Sequence, residues 1–123
     1  MSRRKKVMII DDNEEVLQVT RALLENEGYD VVTHQYGFGA TAAIRANEPD
    51  VVLLDINMPA LSGEALFPII RSNSHTRSVP VLFYSSNDED SLLESVTRFG
   101  AAGYVCKGNL GDLRRKVLEH AHR

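Results

Sequence analysis

The chain has 123 residues, 43% of them hydrophobic and 25% charged, with a formal net charge of −3. That length supports one core and hence a single domain over residues 1–123. The composition excludes a disordered chain, and the acidic balance argues against direct nucleic-acid binding, which needs a basic footprint.

No apolar run reaches membrane-spanning length, so no membrane partner is expected. The basic opening, Met1 to Lys6, leads straight into a short apolar run, unlike a signal peptide, and reads as a solvated lead-in. The lone cysteine, Cys106, cannot form an internal disulfide. It suits a reducing, cytoplasmic setting as core filler.

In chain order, residues 6–10 form an apolar strand ending in the pair Asp11-Asp12. A helix over 14–27 carries Val16, Val19 and Leu23 on one face, flanked by Leu17 and Leu24. Asp12 or Asn13 can cap it and Gly28 can end it. A short strand over 31–33 precedes an alanine-rich helix over 39–47, which Pro49 stops. Residues 50–55 are apolar without alternation, as in a central strand covered on both faces.

The helix over 62–72 contains Pro68, which removes a backbone hydrogen bond and crowds residue 64, so a kink or late start is expected. A strand over 81–84 leads into Ser85. The helix over 88–99 is expected to bury Leu92, Leu93, Val96 and Phe99. Ser86 and Glu89 would form its capping box, with acids 88 and 90 favouring its positive end. A strand over 103–106 runs into Lys107. The final helix, 110–122, should bury Leu110, Leu113, Val117 and Ala121 and turn Arg114, Arg115 and Lys116 to water.

Five strand–helix alternations with short loops imply an α/β fold, a parallel sheet with helices on both faces. No repeat, low-complexity stretch or linker interrupts it. The chain stops with its last helix, so no output domain is expected within it.

Asp11, Asp12, Asp55, Ser85 and Lys107 each lie at, or one residue past, the C-terminal end of a strand. In open α/β sheets ligands bind in the crevice beyond those ends. Three carboxylates in one place are costly unless a cation or protons neutralise them, and hard oxygen donors suit Mg²⁺. An aspartate can also attack phosphorus. Such transfer rests on positioning and charge neutralisation, with Lys107 as a point charge and Ser85 as a donor.

Four motifs, in this order, resemble the receiver domain of two-component response regulators over essentially the whole chain. They are Ile10-Asp11-Asp12-Asn13, Leu54-Asp55-Ile56-Asn57-Met58-Pro59 with Gly63, Tyr84-Ser85-Ser86, and Gly103-Tyr104-Val105-Cys106-Lys107. The resemblance implies a flavodoxin-like, doubly wound five-stranded parallel sheet of order 2-1-3-4-5 with five helices. It implies Asp55 as phosphoacceptor, taking a phosphoryl group from a phosphohistidine on a sensor histidine kinase or histidine phosphotransfer protein. Asp12 and Asp55 would ligate Mg²⁺ directly, Asp11 through water, and Asn57 by its backbone carbonyl.

By the same resemblance Ser85 is the switch hydroxyl that moves towards the new phosphate, Tyr104 the aromatic partner that turns inward as it moves, and Lys107 the partner of the phosphoryl oxygens. Asn57 and Asn87 occupy positions that tune dephosphorylation. The role implied is regulatory, the domain catalysing only its own phosphorylation and dephosphorylation. A downstream protein target or a separate output domain would meet the face built by the fourth helix, fifth strand and fifth helix, and a phosphorylation-dependent dimer is a further output. The alternative is a degenerate receiver that binds partners without phosphate.

Two positions depart from the family pattern. Gly108 follows Lys107 where the family has a proline with a cis peptide. A cis bond without proline costs about 2.5–4 kcal/mol, which opens the loop to a trans peptide and a differently aimed lysine. Pro68 in the third helix is the other.

Three further signals are set aside. Gly37-Phe-Gly39-Ala-Thr-Ala42 matches a dinucleotide fingerprint but follows the second strand, at the sheet edge of that order, where it more simply supplies a turn and close packing. His120 and His122 point to different helix faces, a poor metal pair, and read as solvated. Asp11-Asp12-Asn13 lacks the Asp-x-Asp of a haloacid-dehalogenase-type phosphatase.

Overall fold

The computed structural model describes residues 3–122. Strands β1 (Lys6–Ile10), β2 (Asp30–His34), β3 (Val51–Leu54), β4 (Val81–Ser85) and β5 (Gly103–Cys106) alternate with five helices. These are α1 (Glu14–Asn26), α2 (Ala40–Asn47), α3 (Gly63–Ser72), α4 (Glu89–Phe99) and α5 (Leu110–Ala121). All strand pairs are parallel and the order is β2-β1-β3-β4-β5. The flavodoxin-like expectation holds.

The missing alternation in β3 has its physical cause in the layers on either side. Met8, Ile10, Val52, Leu54 and Phe83 face one core with Ile44, Phe67 and Leu92 of α2, α3 and α4. Val7, Ile9, Leu53, Leu82 and Val105 face a second core with Leu17, Leu24, Leu113 and Val117 of α1 and α5. Every strand side chain from Val7 to Ile10, Val51 to Leu54 and Val81 to Ser85 is therefore buried. Each such aliphatic or aromatic side chain contributes about 1.5–3 kcal/mol.

The parallel register puts Ile10 beside both His34 and Leu54, and Ser85 beside Cys106. The residues that follow the strands thus emerge along one edge of the sheet.

Helix phases depart from the sequence reading at three places. The inner face of α1 is Leu17, Thr20 and Leu24, with Val19 at 54% exposure. Thr20 can sit there because its hydroxyl shares a 2.9 Å hydrogen bond with that of Tyr84, so burial leaves neither group unsatisfied. In α4 Leu92 is buried while Leu93 is 53% exposed, since neighbours about 100° apart cannot both face the sheet. In α5 the buried positions are Leu113, Val117, His120 and Ala121, leaving Leu110 exposed. His120 is thus not the solvated terminal histidine expected, and Lys116 is half-buried.

The caps are mostly local side chains. Asn13 accepts from Val16 N–H and Ser62 from Ala65 N–H. For α4 the cap is Asp88, accepting from Ser91 N–H, instead of Ser86. Pro68 does not interrupt α3, which runs unbroken from Gly63. Its ring lies on the exposed side, where water can reach the carbonyl it leaves unpaired.

Candidate phosphoacceptor site

Asp11 follows β1 and accepts from Asn13 N–H at 2.9 Å, a bond that turns the chain into α1. Asp55 follows β3, and its Oδ1 accepts from Asn57 N–H at 3.3 Å. Both carboxylates are buried, while Asp12 is half-buried. One oxygen from each of the three lies within 4.8 Å of the others.

Lys107 completes the cluster. Its ammonium is 2.7 Å from Asp11 Oδ2 and 3.3 Å from Asp55 Oδ1. The doubt over Gly108 is resolved by local geometry. No peptide bond among the described residues is cis, and Gly108 takes φ +92, a left-handed conformation that glycine adopts without a Cβ penalty. The lysine reaches the acids through that turn, its backbone held by a 2.8 Å bond from Lys107 N–H to Ser85 O.

The electrostatics follow from burial. Desolvation, with Asp11 beside it, raises the Asp55 carboxyl to about 6, against the lowering effect of Lys107. Burial pulls the Lys107 ammonium down, but the hydrogen bond to Asp11 and the charges of Asp55 and Asp11 hold it above its usual value. Three acids against one ammonium leave the site short of positive charge, an environment suited to a divalent cation.

Ser85 is fully buried at the end of β4. Its Oγ accepts from Asn57 Nδ2 and from Asn87 N–H, both at 3.2 Å. With both acceptor positions engaged, its proton is left to donate. The Asn57 amide also donates to Asn87 Oδ1 at 2.8 Å, bridging the β3–α3 and β4–α4 loops. Sequence reading gave Asn57 a backbone role and a tuning role. The side-chain bridge joins residues 30 apart and is visible only in three dimensions.

Tyr104 does not join this cluster. Its hydroxyl donates to Glu89 Oε1 at 2.6 Å, at the start of α4. That bond is the main cause raising its phenol to about 12.

The glycines of the set-aside motif sit in a turn and a close contact. A Cβ on Gly37 would lie 2.9 Å from Leu61, and Gly39 takes φ +79. Beside the acid site, α1 and α5 border a mainly apolar groove of about 230 Å³, lined by Val16, Val19, Leu23, Tyr84, Lys107 and Leu110. Among the described residues, no helix is long and apolar enough to cross a membrane.

Known proteins share this fold and sequence pattern. The family model for the response regulator receiver domain matches residues 7–118. Protein PilG of Pseudomonas aeruginosa is 40% identical over 83 residues, covering 68% of this chain and 62% of PilG. The polar-differentiation response regulator DivK of Brucella ovis is 31% identical over 103 residues, 84% of each chain. The chemotaxis protein CheY4 of Vibrio cholerae superposes with a TM-score of 0.86 at 25% identity, covering 96% of this chain and 99% of CheY4.

Some relatives are much longer. The chain spans only 18% of Protein RcaC of Microchaete diplosiphon, and less than two thirds of PilG. With the strand order, the acid cluster and the family match over residues 7–118 in agreement, the chain belongs to the receiver domain family of response regulators.

Proposed function

We propose that this receiver domain accepts a phosphoryl group on Asp55 from a phosphohistidine of a sensor kinase or phosphotransfer protein. The observation that carries the reading is the convergence of Asp11, Asp12 and Lys107 on the Asp55 carboxylate. A carboxylate oxygen of Asp55 forms the new P–O bond as the P–N bond to the donor imidazole breaks. The imidazole leaves with that electron pair and takes a proton from its surroundings. With its carboxyl at about 6, Asp55 is largely ionised above pH 7, as a nucleophile requires.

Asp12 and Asp55 would ligate Mg²⁺ directly, Asp11 through water, and the Asn57 carbonyl would complete the protein ligands. Bound there, Mg²⁺ would supply charge neutralisation on the transferring oxygens. Lys107 binds one phosphoryl oxygen as a point charge, and Ser85, with its proton free to donate, binds another. Asn57 and Asn87 border the same space and set how water reaches the phosphorus.

The donor docks in the α1–α5 groove. Exposed Val19 and Leu110 line it, and Lys107 belongs to both groove and acid site. An occupant is thus led to Asp55. Phosphorylation then shifts a two-state equilibrium at α4, β5 and α5, a face read by a downstream target, an output domain or a second copy. The single cysteine, Cys106, half-buried in β5, suits a cytoplasmic working place.

Acetyl phosphate with Mg²⁺ tests the chemistry without a partner. Intact mass should rise by one phosphoryl group in the wild type and stay unchanged in Asp55→Asn. An unchanged wild-type mass, under conditions that label another receiver, would refute the reading.

A further inference from the structure

Tyr104 is gripped at three points, none of them in the acid site. Its hydroxyl donates to Glu89 Oε1 at 2.6 Å. The Lys116 ammonium stands 4.1 Å from the centroid of its ring and also donates to its backbone carbonyl. Lys116 is itself held by Asp112 Oδ2 at 3.2 Å. A chain of contacts thus crosses α4, β5 and α5, with the phenol at its centre.

Position explains why this grip matters. Tyr104 pairs with Phe83 and Cys106 with Ser85 across adjacent strands. Residues two apart on a strand share a face, so Tyr104 lies on the Ser85 side of the sheet. It packs against the same core as Phe83, Leu92 and Phe99. To turn inward toward Ser85, the phenol must leave the Glu89 carboxylate. A hydrogen bond to a charged acceptor is among the stronger ones, and it forms only in the outward state.

We infer that Glu89 is a latch that holds Tyr104 outward and so sets how much of the unphosphorylated domain occupies the resting state. The inference rests on the receiver reading, since it concerns the switch that Asp55 phosphorylation would throw. Glu89 neither touches the acid cluster nor caps α4, a task performed by Asp88. Its contribution is therefore separable from the chemistry and from helix formation.

Linkage gives the test. If only the inward state binds a phosphoryl mimic well, its apparent dissociation constant falls as the inward fraction rises. Beryllofluoride with Mg²⁺ is titrated into the wild type, Glu89→Ala, Tyr104→Phe and the double variant, with binding followed by ¹H–¹⁵N NMR. Asp90→Ala serves as control, because it also removes an exposed first-turn acid from α4.

The latch predicts that Glu89→Ala binds the mimic about three- to tenfold tighter, the range for loss of one solvent-facing charged hydrogen bond. Tyr104→Phe should gain similarly, the double variant should gain no more than either, and Asp90→Ala should match the wild type. In the ligand-free protein, Glu89→Ala should strengthen contacts between the Tyr104 ring and Phe83. Unchanged affinity in Glu89→Ala, additive gains in the double variant, or an equal gain in Asp90→Ala would overturn the latch while leaving the receiver reading intact. Failure of the wild type to bind the mimic at all would overturn both.

Discussion

Gly63 lies against the backbone of Asp55 so closely that a Cβ at position 63 would fall 2.1 Å from the Asp55 carbonyl oxygen. The contact is tied by a 3.0 Å bond from Gly63 N–H to Ile56 O. The start of α3 therefore braces the loop that carries Asp55, the proposed phosphoacceptor. Because the obstacle is backbone, a side chain at 63 cannot be accommodated by a rotamer change.

Gly63→Ala should destabilise the domain by roughly 1–3 kcal/mol, as forced overpacking does, and reduce phosphoryl uptake at Asp55. Gly111→Ala is its counterpart. There the nearest atom is Asn109 Oδ1 at 3.9 Å in an exposed helical turn, so alanine should stabilise by roughly 0.5–1 kcal/mol. Urea unfolding of the two variants distinguishes a bracing glycine from a merely permissive one.

The acid site should cost stability in metal-free buffer. The Asp55 carboxyl is raised to about 6 in the folded protein, above its ordinary value of about 4. Between those values the native state binds the extra proton, so stability should fall as pH rises from about 4 to about 6 and level off above. At pH 7 Asp55→Asn should be more stable by roughly 1–3 kcal/mol, with the difference vanishing near pH 4. Mg²⁺ should raise the melting temperature of the wild type more than that of the variant. Thermal unfolding with EDTA or Mg²⁺ across this pH range checks each sign.

Thr20 and Tyr84 form a buried hydroxyl pair that fastens α1 to β4 one residue before Ser85. Burial raises the Tyr84 phenol above its usual value. Tyr84→Phe leaves the Thr20 hydroxyl without that partner and should cost about 1–2 kcal/mol. Thr20→Val with Tyr84→Phe removes both groups and should cost less than the two single changes together. A double-mutant cycle by urea unfolding measures that coupling.

The proposed docking in the α1–α5 groove can be tested apart from the chemistry. Val19→Glu places a charge on an exposed groove residue and should slow transfer from a phosphohistidine protein at least about tenfold, the effect of losing about 1.4 kcal/mol. Labelling by acetyl phosphate should be unchanged, because Val19 is not part of the acid cluster. Equal loss with both donors would place the effect in the site and not in the groove.

The sequence carried the strand ends and the acid cluster well, since apolar runs without alternation and the residues closing them are local signals. Helix phase was less legible. Polar Thr20 and His120 occupy inner positions of α1 and α5, which a rule based on apolar spacing assigns outward. The aim of Lys107 depended on the Gly108 turn, and the Asn57–Asn87 bridge and the Tyr104–Glu89 contact on how loops and helices meet. The last two join residues 30 and 15 positions apart, beyond the reach of local pattern.

The most direct test of the account is transfer from an autophosphorylated sensor kinase carrying labelled phosphohistidine, followed by peptide mapping of this chain. Label should leave the donor and appear on the peptide containing Asp55, as an acyl phosphate cleaved by hydroxylamine, and only with Mg²⁺ present. Label on a different residue, or transfer that persists in Asp55→Asn, would contradict Asp55 as the acceptor.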